Sequence, residues 1–261
     1  MQKYLIILCI FLCGNKWVSA QGSNIAQTEK ELIEIHGKLT ASKYGDFDSL
    51  EYFSNLFSTR FTDLISANPK TLKFSFRRLI DAHICNIETS KDGLFRIYTW
   101  DSQLGGTMRF FNVFYQYKSG KTIKTQSILL EEGDPAWFCS GIFTLITKKK
   151  KYYLGIINGI YSTKDVSQSI KGFELTESGT IDDNIDLFQI NEGLQNSLRI
   201  SYDFFSVADR PERPVRLIRY DTKNKEITIE CVSDEEKILP NCYTIYQFNG
   251  THFEETDQKM K

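Results

Sequence analysis

The chain has 261 residues, 32 basic against 33 acidic side chains and a formal net charge of −1, with 41% hydrophobic residues. That is enough apolar material for a sizeable core. The near balance of charge excludes a protein held to nucleic acid by a net basic surface.

Met1-Gln2-Lys3 is followed by an apolar run from Tyr4 to Cys13 and by Val18-Ser19-Ala20 before Gln21. A basic start, a short apolar centre and a V-x-A site predict a secretory signal peptide over 1–20, too short to span a bilayer. The alternative is a lipid anchor through Cys13, which the bulky Leu12 before it disfavours. Removing 1–20 takes away Lys3 and Lys16 and leaves 30 basic against 33 acidic residues. No later stretch has the roughly 20 apolar residues of a membrane helix. The expectation is a soluble exported protein, periplasmic or extracellular, with no integral membrane segment.

Residues 21–69 read as two amphipathic helices packed on a β-rich body. From Ser23 to Lys43, Ile25, Leu32, Ile35 and Leu39 recur at helical spacing among Glu29, Glu31, Glu34 and Lys38. From Asp48 to Asn68 the stripe is Leu50, Phe53, Phe57, Phe61 and Leu64, with Asp48 and Glu51 at the start and Asn68-Pro69 as the stop.

After Pro69 the period becomes two, beginning with Leu72, Phe74 and Phe76, and residues 70–261 read as an antiparallel β domain. Strands are predicted near 82–88, 94–100, 108–117, 123–130, 137–147, 152–161, 169–176, 185–190, 197–204, 215–220, 225–231 and 243–248. Turns such as Ser90-Lys91-Asp92-Gly93 and Lys118-Ser119-Gly120-Lys121 separate them. The fold class is therefore mainly β with an N-terminal helical pair, a meander forming a sandwich or curled sheet. The alternative is a propeller-like stack, for which three four-stranded blades fall short of the usual minimum of about four.

The segments SKDGLFRIYTWDSQLGGTMRFFNVFYQYKSG, RISYDFFSVADRPERPVRLIRYDTKNKEITI and YQFNGTHFE resemble a group of exported, β-rich proteins of Gram-negative bacteria with no assigned activity. The resemblance spans roughly residues 70–253. It implies export and β-architecture and carries over no catalytic residue.

Few residues stand in patterns that carry chemistry. Without the signal, four cysteines remain: Cys231 and Cys242 flank one loop between strand-like runs and suit a cross-strand disulfide, which leaves Cys85 for Cys139. The plain reading is that some are buried small hydrophobes. There is no G-x-S-x-G elbow; His36 falls on the polar face of a helix and His252 in the Asn249–His252 turn, which leaves His83 with Asp81 as base and orienter, against the plain reading of a strand histidine satisfied by a neighbour. Asp182, Asn184 and Asp186 alternate like calcium ligands, but Leu187 and Gly193 stand where an EF-hand needs glycine and glutamate. No cofactor or metal is assigned. Lys148 to Lys151 read as the solvated turn of a hairpin.

Two candidate ligand sites remain. In FRIYTWDSQLGGTMRFF, alternation puts Phe95, Ile97 and Thr99 on one face and Arg96, Tyr98 and Trp100 on the other, with Asp101 at the strand end. In ADRPERPVRLIR, Arg210, Arg213, Arg216 and Arg219 recur at threes beside Pro211 and Pro214, the polyproline period, and could present one edge to a carboxylate, sulfate or glycan. The rival is a rigid loop in which Arg210 and Arg213 pair with Asp209 and Glu212. The expected function is a non-catalytic binding domain for a ligand at the envelope or outside the cell. A glycan hydrolase would instead bring Asp101, Glu131 or Asp134 together in a cleft. A structural or assembly subunit would leave the Phe53, Phe57 and Phe61 face exposed.

Overall fold

The structure is a computed structural model that describes residues 25–43, 45–128 and 130–260. The signal segment, its cleavage site and Cys13 lie outside the described residues. Two long helices come first, α1 (Ile25–Ser42) and α2 (Phe47–Ala67), then a 3-10 turn (Pro69–Lys73) and the short α3 (Arg77–Asp81). The strands are β1 (Cys85–Thr89), β2 (Phe95–Asp101), β3 (Phe111–Ser119), β4 (Thr122–Ser127), β5 (Phe138–Ile146), β6 (Lys151–Ile160) and β7 (Asp165–Leu175). They continue with β8 (Ile181–Asp182), β9 (Phe188–Ile190), β10 (Gly193–Gln195), β11 (Ser197–Asp203), β12 (Ile218–Asp221), β13 (Glu226–Val232), β14 (Ile238–Phe248) and β15 (Phe253–Met260).

These strands form three separate sheets, none closed into a barrel. The first is the meander β1-β2-β3-β4; the second runs β5-β6-β7-β11, with β8 also on β7; the third runs β12-β13-β14-β15-β9-β10. Pairing is antiparallel except where β15 meets β9 at Phe253 and Phe188. Shared apolar clusters show that the sheets stack face to face in chain order. Phe95, Ile97, Val113 and Tyr115 of the first sheet pack with Cys139, Tyr153 and Phe173 of the second. Leu154, Ile156 and Ile170 of the second pack with Ile218, Ile227 and Phe253 of the third. The architecture is thus a sandwich extended to three sheet layers.

The helices cover the outer face of the first sheet. Phe57 and Phe61 of α2 reach Tyr98 and Trp100, and Leu32 of α1 and Leu79 of α3 join the same cluster. Phe57 and Phe61 are buried, so the face that an assembly role would leave open is closed, with Phe53 at its half-buried rim. Asp46, two residues ahead of the expected start, caps α2 by accepting from the Asp48 and Ser49 amides at 3.3 and 3.1 Å. Glu29, expected on the polar face of α1, is buried: its Oε1 accepts from the Arg78 amide at 3.0 Å. That contact caps α3, whose own N-cap residue is Phe76 and has no side-chain acceptor. The stretch from Leu72 to Phe76, expected to open the β domain, is instead the end of the 3-10 turn and an irregular link. Asn68, which accepts from the Lys70 amide at 3.1 Å, and Pro69 at its first turn favour that local structure over a strand.

The layers are also tied by two fully buried glutamines, each on the third strand of its meander. Gln116 of β3 donates to the Ile65 carbonyl at 3.1 Å and accepts from the Tyr98 hydroxyl at 2.7 Å. Gln168 of β7 donates to the Val215 carbonyl at 2.7 Å and accepts from the Leu217 and Ile218 amides at 3.0 and 2.8 Å. The first holds the C-terminal end of α2, the second the entry to β12.

Candidate functional site

The alternation along β2 is as expected, but the face carrying Arg96, Tyr98 and Trp100 is not an outer face. All three side chains are buried under the helices. Arg96 Nη1 donates to the Thr71 and Phe74 carbonyls, both at 2.6 Å, and its Nε to Thr89 Oγ1 at 2.6 Å. The guanidinium therefore caps the C-terminal end of the 3-10 turn, where carbonyls are left without helical partners. Tyr98 is satisfied by Gln116 and Thr71, and burial pushes its phenol up to about 12. Trp100 Nε1 donates to Ser58 Oγ at 3.1 Å. Asp101 pairs with Arg109 at 3.1 Å and accepts from the Gln103 amide at 2.8 Å. Each of these groups is thus engaged by the fold, with Asp101 only partly buried at the strand end. Helices placed some fifty residues earlier do the covering, which periodicity within β2 cannot reveal.

The arginine segment behaves differently. Arg210 makes a bidentate pair with Glu230 of β13, at 3.0 and 2.8 Å, instead of meeting its neighbour Asp209. Arg213 turns back on its own loop, donating to the Ala208 and Glu212 carbonyls at 2.7 Å and lying 5.4 Å over the Phe204 ring. Arg216, not Arg213, takes the Glu212 carboxylate, at 2.8 Å. Arg219 comes within 3.7 Å of Glu230, whose two oxygens already serve Arg210. Arg216 and Arg219 are largely exposed, with side-chain exposures of 73% and 57%.

Two cavities adjoin this segment and share Arg213 and Pro214, which a cis peptide bond joins. The larger, about 450 Å³, lies between the second and third sheets, lined by Phe143, Gln168, Arg213, Arg216, Arg219 and Tyr220 among others. The smaller, about 310 Å³, is mostly apolar, with Phe111, Phe138, Tyr202 and Phe204 around Asn158 and Ser167. A polar chain runs between them: Asn158 donates to Ser140 Oγ at 2.9 Å and accepts from Gln168 at 2.8 Å, and Gln168 holds 215–218.

Tyr220 is the unusual member. Its side chain is buried, its ring packs edge-on against Phe143 at 5.6 Å, and its hydroxyl has no hydrogen-bond partner. Burial, reinforced by the Asp221 carboxylate, pushes the phenol up to about 12. At neutral pH it is therefore a donor without an acceptor. The threefold arginine spacing points to this segment, but Phe143, Gln168 and Tyr220 come from distant strands and carry no local signal.

The other candidates are accounted for by local structure. Asp81 pairs with Arg77 at 3.1 Å, and His83 sits exposed in a turn with φ of 55°, so they form no base and orienter. Asp134 accepts from the Ala136 amide at 2.8 Å, while Glu131 and Glu132 are exposed. Asp182 accepts from the Asn184 amide at 2.9 Å and Asp183 from the Tyr115 hydroxyl at 3.0 Å. No group of three metal-binding side chains occurs among the described residues. The lysine run lies at the β5–β6 hairpin, as expected, beside a crevice of about 640 Å³ whose lysines at 148–150 are exposed turn residues.

Cys231 and Cys242 form a disulfide across β13 and β14. The expected Cys85–Cys139 partnership is not formed: both are buried free thiols. Cys85 packs in the helix-side cluster and Cys139 in the cluster between the first and second sheets, so the first sheet separates them. Among the described residues no helix is long and apolar enough to cross a membrane. No protein-family model and no curated protein matches the chain.

Proposed function

We propose that this chain is an exported, non-catalytic binding protein, working at the cell envelope or outside the cell, whose ligand face is the 210–220 segment with its two flanking cavities. The observation that carries the reading is the cavity pair itself. One chamber is rimmed by arginines and the other walled by aromatic residues, both within or near the size of small-ligand sites, about 300–1,000 Å³. Glu212 is the single carboxylate on the wall of the larger chamber and is already paired with Arg216. Hydrolysis of a glycoside normally uses two carboxylates, so the chamber suits recognition better than bond cleavage. The N-terminal sequence supports export, and the Cys231–Cys242 disulfide is in keeping with an oxidising compartment.

The test is to express the full chain in a Gram-negative bacterium, fractionate the cells and sediment the processed protein with purified envelopes. The expected product begins at Gln21, lies outside the cytoplasm and sediments with envelopes. Gly141→Leu should abolish that binding without unfolding the protein, because a Cβ at Gly141 meets nothing nearer than the Phe143 ring at 3.8 Å while the longer side chain occupies the larger cavity. Retention of Met1 in a cytoplasmic product, or undiminished binding by Gly141→Leu, would overturn the proposal.

A further inference from the structure

We propose that the crevice at the β5–β6 hairpin is a second binding site, which takes the phosphate monoester group of a sugar-sized ligand or lipid headgroup. It shares no lining residue with the two cavities of the 210–220 segment and does not rest on the reading above. Three observations carry it.

The first is that cations from two layers meet here. The crevice, about 640 Å³, is lined by Lys148, Lys149 and Lys150 of the β5–β6 turn in the second sheet and by Lys225 of the β12–β13 turn in the third. The 249–251 turn between β14 and β15 completes the lining. Direct contacts hold the three turns together: Lys225 Nζ donates to the Ile146 carbonyl at 2.9 Å, and the Phe248 amide donates to the Lys225 carbonyl at 3.1 Å. Solvation of a hairpin turn explains the run at 148–150. It does not call for a fourth lysine brought from another sheet.

The second is how little of this charge is compensated. No carboxylate lines the crevice. Lys150 pairs with Glu174 at 2.7 Å, and the Lys225 ammonium, bonded to the Ile146 carbonyl, lies 5.8 Å from the centre of the Phe248 ring. Glu254, which follows the 249–251 turn, is engaged by Asn249 Nδ2 at 3.0 Å. The Lys148 and Lys149 ammoniums make neither an ion pair nor a hydrogen bond with any described residue. Two free ammoniums beside two partly engaged ones suit a group that carries nearly two negative charges. Lysine meets phosphate as a multi-donor point charge, whereas the planar carboxylate is better matched by arginine.

The third is a neutral donor with room beside it. Tyr152 lines the same crevice, half-buried, and its hydroxyl makes no hydrogen bond with any described residue. Unlike the Tyr220 hydroxyl it is not sealed from water, so it is free to donate to a phosphate oxygen or a sugar hydroxyl. The volume lies within the range of small-ligand sites, about 300–1,000 Å³. Thr147 Oγ1 accepts from the Lys149 and Lys150 amides at 3.2 and 2.9 Å, which fixes the backbone of the lysine turn before any ligand arrives.

The experiment is calorimetric titration of the processed chain at low salt with glucose 6-phosphate, glucose and glucose 6-sulfate, together with sedimentation on phosphatidic acid vesicles. The double variant Lys148→Ala, Lys149→Ala and the single variant Tyr152→Phe are tested in parallel, with an unfolding midpoint for each. The phosphate ester should bind at least about tenfold more tightly than glucose, and the double variant should lose about tenfold at an unchanged midpoint, since both lysines are exposed. Tyr152→Phe should lose about threefold or more. Binding should weaken towards pH 5, where a phosphate with a second pKa of about 6 sheds one charge while the lysines keep theirs. Binding of glucose 6-phosphate assigns a soluble phosphate ester, and vesicle binding without it assigns a lipid headgroup; either supports the site if the double variant loses it. Equal binding of glucose and its phosphate, with no vesicle binding, overturns the proposal. So does a double variant that binds like the parent, or a sulfate ester that binds as tightly as the phosphate. Gly141→Leu alters only the other cavity and should bind the phosphate ester like the parent; a loss in that variant would overturn the assignment to a separate site.

Discussion

Replacing Gln168 with leucine tests how the candidate site is built. The side chain is wholly buried and makes four hydrogen bonds, two accepted from the Leu217 and Ile218 amides and two donated to the Val215 carbonyl and Asn158 Oδ1. Leucine fills similar space but leaves two amides without an acceptor and two oxygens without a donor. A buried unsatisfied group costs about 1–3 kcal/mol, carbonyls at the low end, so with partial relaxation the loss should be about 3–5 kcal/mol. A domain has only about 5–15 kcal/mol in all, so the midpoint of urea unfolding should fall markedly with little change in slope. Gln168→Glu refines the test. A protonated glutamic acid can donate to one oxygen and still accept, whereas the carboxylate would face Val215 O and Asn158 Oδ1 as like dipoles. Its folded pKa is therefore raised, and by linkage its stability is greatest below the unfolded value of about 4.3 and lost as pH rises through the folded value. A cost below about 1 kcal/mol for Gln168→Leu, or a pH-independent deficit for Gln168→Glu, would refute the claim that this side chain holds β12 in place.

Arg96→Met should lower stability by about 2–4 kcal/mol, because it strips the Thr71 and Phe74 carbonyls and Thr89 of their donor; equilibrium denaturation measures it, and a change within about 0.5 kcal/mol would contradict the capping role. Glu88 is raised to about 6 by burial, which the nearby Arg96 only partly offsets. Its contribution is present below its unfolded pKa of about 4.5 and lost as pH rises through about 6, so Glu88→Gln should stabilise the protein at pH 8 by about 1–2 kcal/mol and flatten the pH profile across that window. Burial pushes both the Cys85 and Cys139 thiols up, so neither should react with iodoacetamide in the native protein, and both should react on unfolding, while Cys231 and Cys242 remain linked until reduced. Mass spectrometry of alkylated peptides reads all four positions at once.

Much of this fold is legible in the sequence because its signals are local. The phenylalanine stripe of α2, the turns at Ser90–Gly93 and Lys118–Lys121 and the alternation in β2 depend on residues near one another, and each marks the right element within a few positions. The very short β8 and β10 carry too few residues for periodicity to register, and β15 follows the Asn249–His252 turn through a strongly polar run. What covers a face is a non-local fact. Arg96, Tyr98 and Trp100 look like an outer surface because nothing near them announces that α2 lies across them. The arginine segment stands out by spacing alone, yet its partners are Glu230 and the loop carbonyls, because the chain folds back between 208 and 213 instead of continuing as an extended edge. Glu29 and Gln168 escape notice for a related reason: a lone polar residue in a helical or strand pattern looks solvated until the layer packed on it is known.

Two buried tyrosines show how differently the two layer interfaces accommodate a phenol. Tyr98 and Tyr220 are both withdrawn from water and both held up to about 12. Tyr98 meets Gln116 and Thr71, so its hydroxyl offsets its burial within the fold, and the polar groups around it form a closed set. Tyr220 meets no acceptor, although Gln168 stands in the corresponding position on its own sheet; that glutamine is fully engaged with Asn158 and the 215–218 backbone. The same device, a third-strand glutamine beneath a neighbouring layer, is therefore complete in one interface and leaves a donor over in the other. The Tyr220 hydroxyl is itself sealed from water, although other atoms of the residue line the neighbouring cavity. Stability alone would favour phenylalanine at 220, so Tyr220→Phe should leave the midpoint of urea unfolding equal or higher, and a clear fall would show that the hydroxyl has a partner in the folded chain.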